Sequence, residues 1–252
     1  MSNSVLIERK ENLAVVTLNR PASLNAVNQE LRASLINGLQ ELNSDSRIRA
    51  IVLTGAGERA FCAGQDLREA AAVEPADIGD WLNAQRDMYQ AVRDLDKPCL
   101  AAINGVAAGA GFQIALCADW RIALPAVRIG QPEVKAGLAS IVGSWLMTLH
   151  IGMTHNVQFS LSGDLIDARR AYEIGLVTEL TEADVVTAAL HRAAELAKRP
   201  SNAVRLSKRR FRELTQPGFD AACAAGIEAQ TTCYANGEPQ AAMQAFLNAR
   251  AS

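Results

Sequence analysis

The sequence predicts an α/β fold in which strands and helices alternate over about the first 180 residues and helices alone follow. Short apolar runs typical of buried strands recur up to Leu180, and stretches with helical periodicity separate them. Beyond Glu182 no strand pattern remains. The helical stretches there are 183–198, 201–214, 219–234 and 239–249. Their apolar stripes need a covering surface, either the rest of the chain or another subunit.

The elements before Leu180 follow from local patterns taken in order. Apolar alternation over 5–9 and 13–18 predicts a hairpin. Leucines at helical spacing predict a helix over 28–43 that Asn28 caps. Another helix is expected over 78–95, a short one over 142–150, and one that begins at Asp167 and stops at Gly175. The predicted strands are 50–54, 99–103, 120–124, 127–129 and 177–180.

Composition excludes several classes of protein. With 252 residues, 49% of them apolar, the chain can bury a substantial core. Its net charge is −2 and its basic residues are dispersed except at 208–210, which argues against binding nucleic acid. Five cysteines lack a CxxC motif and nearby histidines, so we expect reduced thiols, with no disulfide framework and no metal site. Without a leader or a membrane-spanning apolar run, a cytoplasmic protein that binds no membrane is expected.

Two segments rich in glycine and alanine, 59–66 and 103–113, each follow a predicted strand. Small residues let a ligand approach the backbone and leave N–H groups free to donate, and a helix N-terminus favours negative charge. The segments are either halves of one site or tight turns in a packed domain. Within the first, Cys62 is either a nucleophile or, as we favour, a small buried residue.

Six segments together resemble the enoyl-CoA hydratase/isomerase (crotonase) family. They are 19–26 (NRPASLNA), 60–67 (AFCAGQDL), 97–105 (KPCLAAING), 109–111 (GAG), 117–119 (CAD) and 130–133 (GQPE). The resemblance implies a spiral of ββα repeats over residues 1–195 and an all-helical region over 196–252 that builds homotrimers, often paired into hexamers. It also implies an acyl-CoA thioester as substrate. No cofactor is implied beyond the CoA that is part of that substrate.

The resemblance also implies roles for particular residues. Two backbone N–H groups hold the thioester oxygen in this family, and by position they are those of Gln65 and Ala110. Such donors stabilise the enolate more than the neutral ester. The channel for the CoA moiety is expected to run along this loop. Its residues would be Ala63, Gln65, Asp66, Leu67 and Arg68. For Asp66 we favour a structural role, capping the loop, over a catalytic one, and Arg68 is either near the CoA phosphates or a solvated cation.

The acid/base residues point to one carboxylate. Hydratases of the family use two glutamates that share a water. The second aligns with Glu133, whereas the first aligns with Gln113, which cannot serve as a base and is expected to orient substrate or water. Ile141 and Val142 replace a glycine-rich loop and predict a more apolar pocket. Isomerisation of an enoyl-CoA double bond with Glu133 as proton shuttle is favoured. A 2-enoyl-CoA hydratase and a CoA-ester-binding protein without catalysis are the alternatives.

Overall fold

The structure, a computed structural model, describes residues 4–251 and contains ten strands and ten α-helices within that range. The strands are β1 Val5–Lys10, β2 Leu13–Leu18, β3 Ala50–Gly55, β4 Ala60–Cys62, β5 Cys99–Ile103, β6 Val106–Ala108, β7 Trp120–Ala123, β8 Arg128–Gly130, β9 Leu165–Asp167 and β10 Glu179–Leu180. The helices are α1 Gln29–Ser44, α2 Leu67–Ala71, α3 Ile78–Arg93, α4 Ala110–Cys117, α5 Val142–Thr148, α6 Met153–Ser162, α7 Ala168–Glu173, α8 Val185–Ala197, α9 Ser201–Ala235 and α10 Glu238–Ala251.

The strands form two sheets that are built by a repeating unit. The larger sheet has the order β1-β2-β3-β5-β7-β10, and the smaller one has the order β4-β6-β8-β9. β3, β5 and β7 lie parallel in the larger sheet, and each is followed by a strand of the smaller sheet and then by a helix. This succession of ββα turns confirms the fold that the sequence and the resemblance predict.

The central strands of the larger sheet, β2, β3, β5 and β7, are buried on both faces. Along β3, Ala50 and Val52 point toward α8, whereas Ile51 and Leu53 belong to the main core on the other side. All six residues of β3 are buried, which is why this strand has a continuous apolar sequence and no alternation. The main core extends under the smaller sheet and therefore supports the loops at its end.

Most predicted elements and their caps are confirmed. The Asn28 side chain accepts a hydrogen bond from the Leu31 N–H at 3.0 Å, and the Asp167 side chain accepts one from the Arg170 N–H at 2.8 Å. β10 is shorter than predicted, since it begins at Glu179. The sequence did not predict α6, whose apolar residues Met153 and Leu161 are exposed and give no sign of a core-facing stripe.

The prediction of separate helices over 201–214 and 219–234 is wrong. α9 runs unbroken for 35 residues and carries Pro217 inside it. Proline removes one N–H from the helical ladder, so the sequence pattern is typical of a break. Packing against α3 and α5 supports the helix on both sides of this position. Tertiary contact therefore overrides the local signal.

The C-terminal helices fold back on the ββα core. α9 contacts α3 and α5, and α10 contacts α2 and the short 3-10 turn Glu133–Ala136. The division into regions 1–195 and 196–252 stays a prediction, and Ser252 lies outside the described residues. Within residues 4–251 no helix is both long enough and apolar enough to span a bilayer.

Candidate active site

The two segments rich in glycine and alanine meet where α4 packs against β4. A Cβ atom added at Gly111 would lie 2.1 Å from the carbonyl oxygen of Cys62, so only glycine permits this approach. Gly64 has a φ of +112°, and a Cβ there would lie 3.9 Å from the Ala110 nitrogen. The segments are therefore parts of one structure and not two independent turns.

The backbone leaves two N–H groups free at this junction. Ala110 is the first residue of α4, where the helix itself offers no acceptor. Gln65 forms a parallel β-bridge with Val27. The Val27 N–H donates to the Gly64 carbonyl oxygen at 2.8 Å, and the Asp66 N–H donates to the Val27 carbonyl oxygen at 2.9 Å. The Gln65 N–H therefore points away from Val27. In the described part of the chain neither N–H has an acceptor, and both residues line one cavity.

This cavity has a volume of about 80 Å³ and is bounded by three elements. Its walls are α3, the loop before α5, and α9. The loop is held against α9 because the Gln230 amide donates a hydrogen bond to the Ala139 carbonyl oxygen at 2.7 Å. Gln113 and Glu133 line it together with Gln65 and Ala110. Among the described lining residues Glu133 is the only acid.

Glu133 begins the 3-10 turn that follows β8, and this half-buried residue places its carboxyl group among protein atoms that desolvate it. Burial raises the pKa of this carboxyl to about 7, and hydrogen bonds from its own backbone N–H and from Gln113 partly offset the rise. The Gln113 Nε2 donates to Glu133 Oε1 at 2.8 Å. At neutral pH the group is therefore poised to take up or release a proton.

Gln131 is a second amide at this carboxyl, and the sequence analysis did not single it out. It is fully buried and lies two residues before Glu133. When its nitrogen faces Glu133, it donates to the two carboxylate oxygens at 2.6 and 2.9 Å. When its oxygen faces Glu133, it accepts from Gln113 Nε2 at 3.0 Å. The first orientation suits an ionised carboxylate and the second a protonated one, which can donate to the amide oxygen.

The loop predicted to line the CoA channel is held by Asp66. Its carboxylate accepts a hydrogen bond from the Arg68 N–H at 3.1 Å, which caps α2, and pairs with Arg20 at 2.9 Å. Ala63 and Leu67 flank this loop and are partly buried. The Arg68 side chain is exposed and has no ion-pair partner within residues 4–251. The structure thus gives Asp66 a structural role and leaves the Arg68 cation accessible.

Cys62 does not have the properties of a nucleophile. Its side chain is fully buried and lies against the Gly64 carbonyl oxygen, with the Sγ 3.7 Å away. Burial raises the pKa of the thiol to about 12, so the thiolate is not available at neutral pH. The described residues also contain no cluster of three or more histidine, cysteine, aspartate or glutamate side chains that could hold a metal ion.

Comparisons with known proteins find relatives that match almost the whole chain. The short-chain-enoyl-CoA hydratase of Clostridium acetobutylicum is 33% identical over 250 residues, which cover 98% of this chain and 96% of that protein. The crotonyl-CoA hydratase of Syntrophomonas wolfei is 29% identical over 252 residues, or 98% and 96% of the two chains. The crystal structure of an enoyl-CoA hydratase/isomerase from Mycobacterium paratuberculosis matches with a TM-score of 0.89 at 28% identity, over 97% of this chain and 98% of the other.

The match to the family as a whole is equally extensive. A family model described as enoyl-CoA hydratase/isomerase matches residues 8–252, from β1 to the end of the chain. The similarity therefore includes both the ββα core and the C-terminal helices. The chain belongs to the enoyl-CoA hydratase/isomerase family.

Proposed function

We propose that the protein moves a double bond within an enoyl-CoA thioester, from C3–C4 to C2–C3, with Glu133 as the proton shuttle. The observation that carries the proposal is that Glu133 supplies the one carboxyl group among the described lining residues, with the amide of Gln113 hydrogen-bonded to it. A shuttle must take a proton from C2 and return it to C4. A carboxyl group with a pKa of about 7 suits both halves of that task.

The proton and the electrons balance within this one site. Glu133 removes the C2 proton, and the electron pair of that C–H bond becomes the C1–C2 double bond of an enolate while negative charge moves to the thioester oxygen. Collapse of the enolate forms the C2–C3 double bond, and the C3–C4 pair takes the proton back from Glu133 at C4. No water and no further reactant is consumed.

The enolate oxygen is held by the N–H groups of Gln65 and Ala110 in this proposal. Both N–H groups lack acceptors and both residues line the cavity that contains Glu133. The positive end of α4 adds to the field at Ala110, because this residue opens the helix. CoA would then extend along Ala63, Leu67 and Arg68, with the free Arg68 cation toward its phosphates.

Hydration of a 2-enoyl-CoA is the second candidate, and the names of the relatives favour it, since two of them are called hydratases. Water addition needs a group that accepts a proton from water while another group donates to C2. Gln113 cannot accept a proton, and its amide is already engaged with Glu133 at 2.8 Å. A hydratase would therefore use Glu133 in both roles. A CoA-ester-binding protein without catalysis is the third candidate.

Assembly into homotrimers, or into pairs of trimers, is also proposed. The outer face of α6 presents Met153, Val157 and Leu161, which are 65%, 45% and 74% exposed and recur every four residues. A contiguous apolar stripe of this kind on a soluble-type fold is a site for protein association. The occupant that we propose is a second copy of this chain, and α6 lies outside the region 196–252 that the resemblance implies for assembly.

The proposed reaction is tested by substituting the shuttle. We expect Glu133→Gln to lower the isomerisation of a 3-enoyl-CoA, and the exchange of its C2 proton in D₂O, by about 10²–10⁴. The amide keeps the shape of the side chain and cannot carry the proton. A panel of 2- and 3-enoyl-CoA esters in D₂O, followed by mass spectrometry, reports isomerisation, hydration and exchange together.

Glu74→Gln is the matched control, since Glu74 is exposed and should leave all three rates unchanged. Undiminished isomerisation by Glu133→Gln would overturn the proposal. Water addition to crotonyl-CoA faster than isomerisation would establish the hydratase, and Gln113→Glu should then increase it. Tight binding without exchange at C2 would favour the non-catalytic candidate.

The donor role of Ala110 has a test that the fold tolerates. Proline is favoured at the first position of a helix, so Ala110→Pro removes the N–H without breaking α4. We expect turnover to fall by about 10²–10³. Ala110→Ser keeps the N–H and should retain most of the activity. A folded proline variant with full turnover in the same assay contradicts the assignment.

The pH dependence follows from the raised pKa of Glu133. The base must be ionised, so kcat/KM for isomerisation should fall below a pH of about 7 and level off above it. Gln131→Leu removes an amide that donates to the carboxylate, and this loss should raise the pKa and move the midpoint upward. The measurement is the pH–rate profile of both enzymes, and an unmoved midpoint would exclude a role for Gln131.

The association surface is tested on α6. We expect Met153→Lys combined with Leu161→Glu to convert the oligomer to monomers, because two charges would have to be buried at the interface. Light scattering coupled to size-exclusion chromatography gives the mass. Thr154→Lys with Gln158→Glu places the same charges on neighbouring exposed positions and should leave the mass unchanged. Equal masses for the two double variants would show that this face is not the interface.

A further inference from the structure

The buried face of α3 carries a glutamine where an apolar residue would be expected. Gln85 lies one helical turn from Trp81 and one from Tyr89, and it is only 7% exposed. A buried amide without a hydrogen bond costs free energy that an apolar residue would not. Among the described residues the Gln85 Nε2 has no partner. No contact within the described residues therefore accounts for the amide at this position.

The Gln85 amide lines the cavity that contains Glu133, and it is not alone there. Ser140, from the loop before α5, lines the same cavity and has a buried hydroxyl without a partner. Tyr89 brings a second hydroxyl to the lining. Of the seven buried side-chain polar atoms without partners in residues 4–251, four belong to Gln65, Gln85 and Ser140. Such atoms are thus concentrated at the place where the acyl group would lie.

Electrostatics at this end of the cavity favour an uncharged ligand group. Arg86 is the nearby cation, and its guanidinium pairs with Asp220 at 2.8 Å and lies 3.7 Å from Asp87. The Cys223 thiol also lines the cavity, and burial raises its pKa to about 11, so it stays neutral. A carboxylate on the acyl group would find no unpaired cation there, whereas a hydroxyl or carbonyl oxygen would find three hydrogen-bonding side chains.

We propose that the acyl group bound here carries an uncharged oxygen function, a hydroxyl or a ketone, that hydrogen-bonds to Gln85 with Ser140 and Tyr89 beside it. The inference rests on the proposed binding of an acyl-CoA. Water can hydrogen-bond to Gln85 while the cavity is empty. A purely alkyl chain that displaced this water would leave the amide unpaired, whereas an oxygen function on the chain would replace the lost hydrogen bond.

Binding of saturated esters tests the inference without depending on catalysis. Hexanoyl-CoA is compared by titration calorimetry with three analogues that carry one hydroxyl, at C4, C5 or C6. We expect at least one of the three to bind at least about tenfold more tightly than hexanoyl-CoA, as one well-placed hydrogen bond to an otherwise unpaired group requires. In Gln85→Leu that preference should disappear or reverse. Because each preference is a ratio measured on one enzyme, incomplete folding of a variant cancels.

Asn83→Leu, at an exposed position of α3, is the control and should keep the preference. Equal binding of all four esters by the unaltered protein, or a preference that persists in Gln85→Leu, overturns the inference. A carboxylated hexanoyl-CoA that binds more tightly than every hydroxylated one would also overturn it, in favour of recognition by Arg86. If the esters bind with the expected preference and no enoyl-CoA exchanges its C2 proton, the proposed reaction fails and the inference stands.

Discussion

The close approach of α4 to β4 is the constraint on which the site depends. Contact at Gly111 and the Cys62 carbonyl leaves no room for a single side-chain carbon. It sets the first turn of α4 beside Gly64, so that two free N–H groups face one cavity. One turn further along the helix, Gln113 then reaches the carboxyl group of Glu133. Donors and shuttle are thus held in register by backbone packing, which resists distortion more than flexible side chains do.

The carboxyl group is kept reactive at a cost in stability. Its pKa in the native protein, about 7, exceeds the ordinary value of 4.5 that applies to the unfolded chain. Between these two values the native state binds more protons, so the free energy of unfolding decreases as the pH rises from 4.5 to 7. Above pH 7 the free energy of unfolding is lower by the full amount, on the order of 3 kcal/mol, relative to its value below pH 4.5. The amides of Gln113 and Gln131 reduce this loss of stability, because each can donate a hydrogen bond to the ionised carboxylate.

Sequence patterns predicted elements whose signal is local. Periodicity and caps predicted α1 and α7, and the two segments that carry Gln65 and Ala110 were identified by their small residues. The unbroken α9 could not be predicted, because Pro217 lacks the N–H for one backbone hydrogen bond of the helix. Packing against α3 and α5, which the local sequence does not reveal, compensates for this lost bond. No role was predicted for Gln131 or for Gln85, and the reason is related. A buried amide resembles a surface residue until the fold shows what surrounds it.

Ile141 and Val142 line the cavity, as expected from their bulky apolar side chains in place of a glycine-rich loop. The cavity is nevertheless not uniformly apolar. The polarity has two distinct origins. Amides around Glu133 are satisfied by the carboxyl group and by one another, and they tune its proton affinity. The Gln85 Nε2 has no hydrogen-bond partner in the part of the chain that the structure describes. The amides around Glu133 therefore affect proton transfer, a step that is the same for every acyl group. Gln85 lies away from that step and can only favour one acyl group over another. Reaction type and substrate choice are consequently determined by different residues of one cavity.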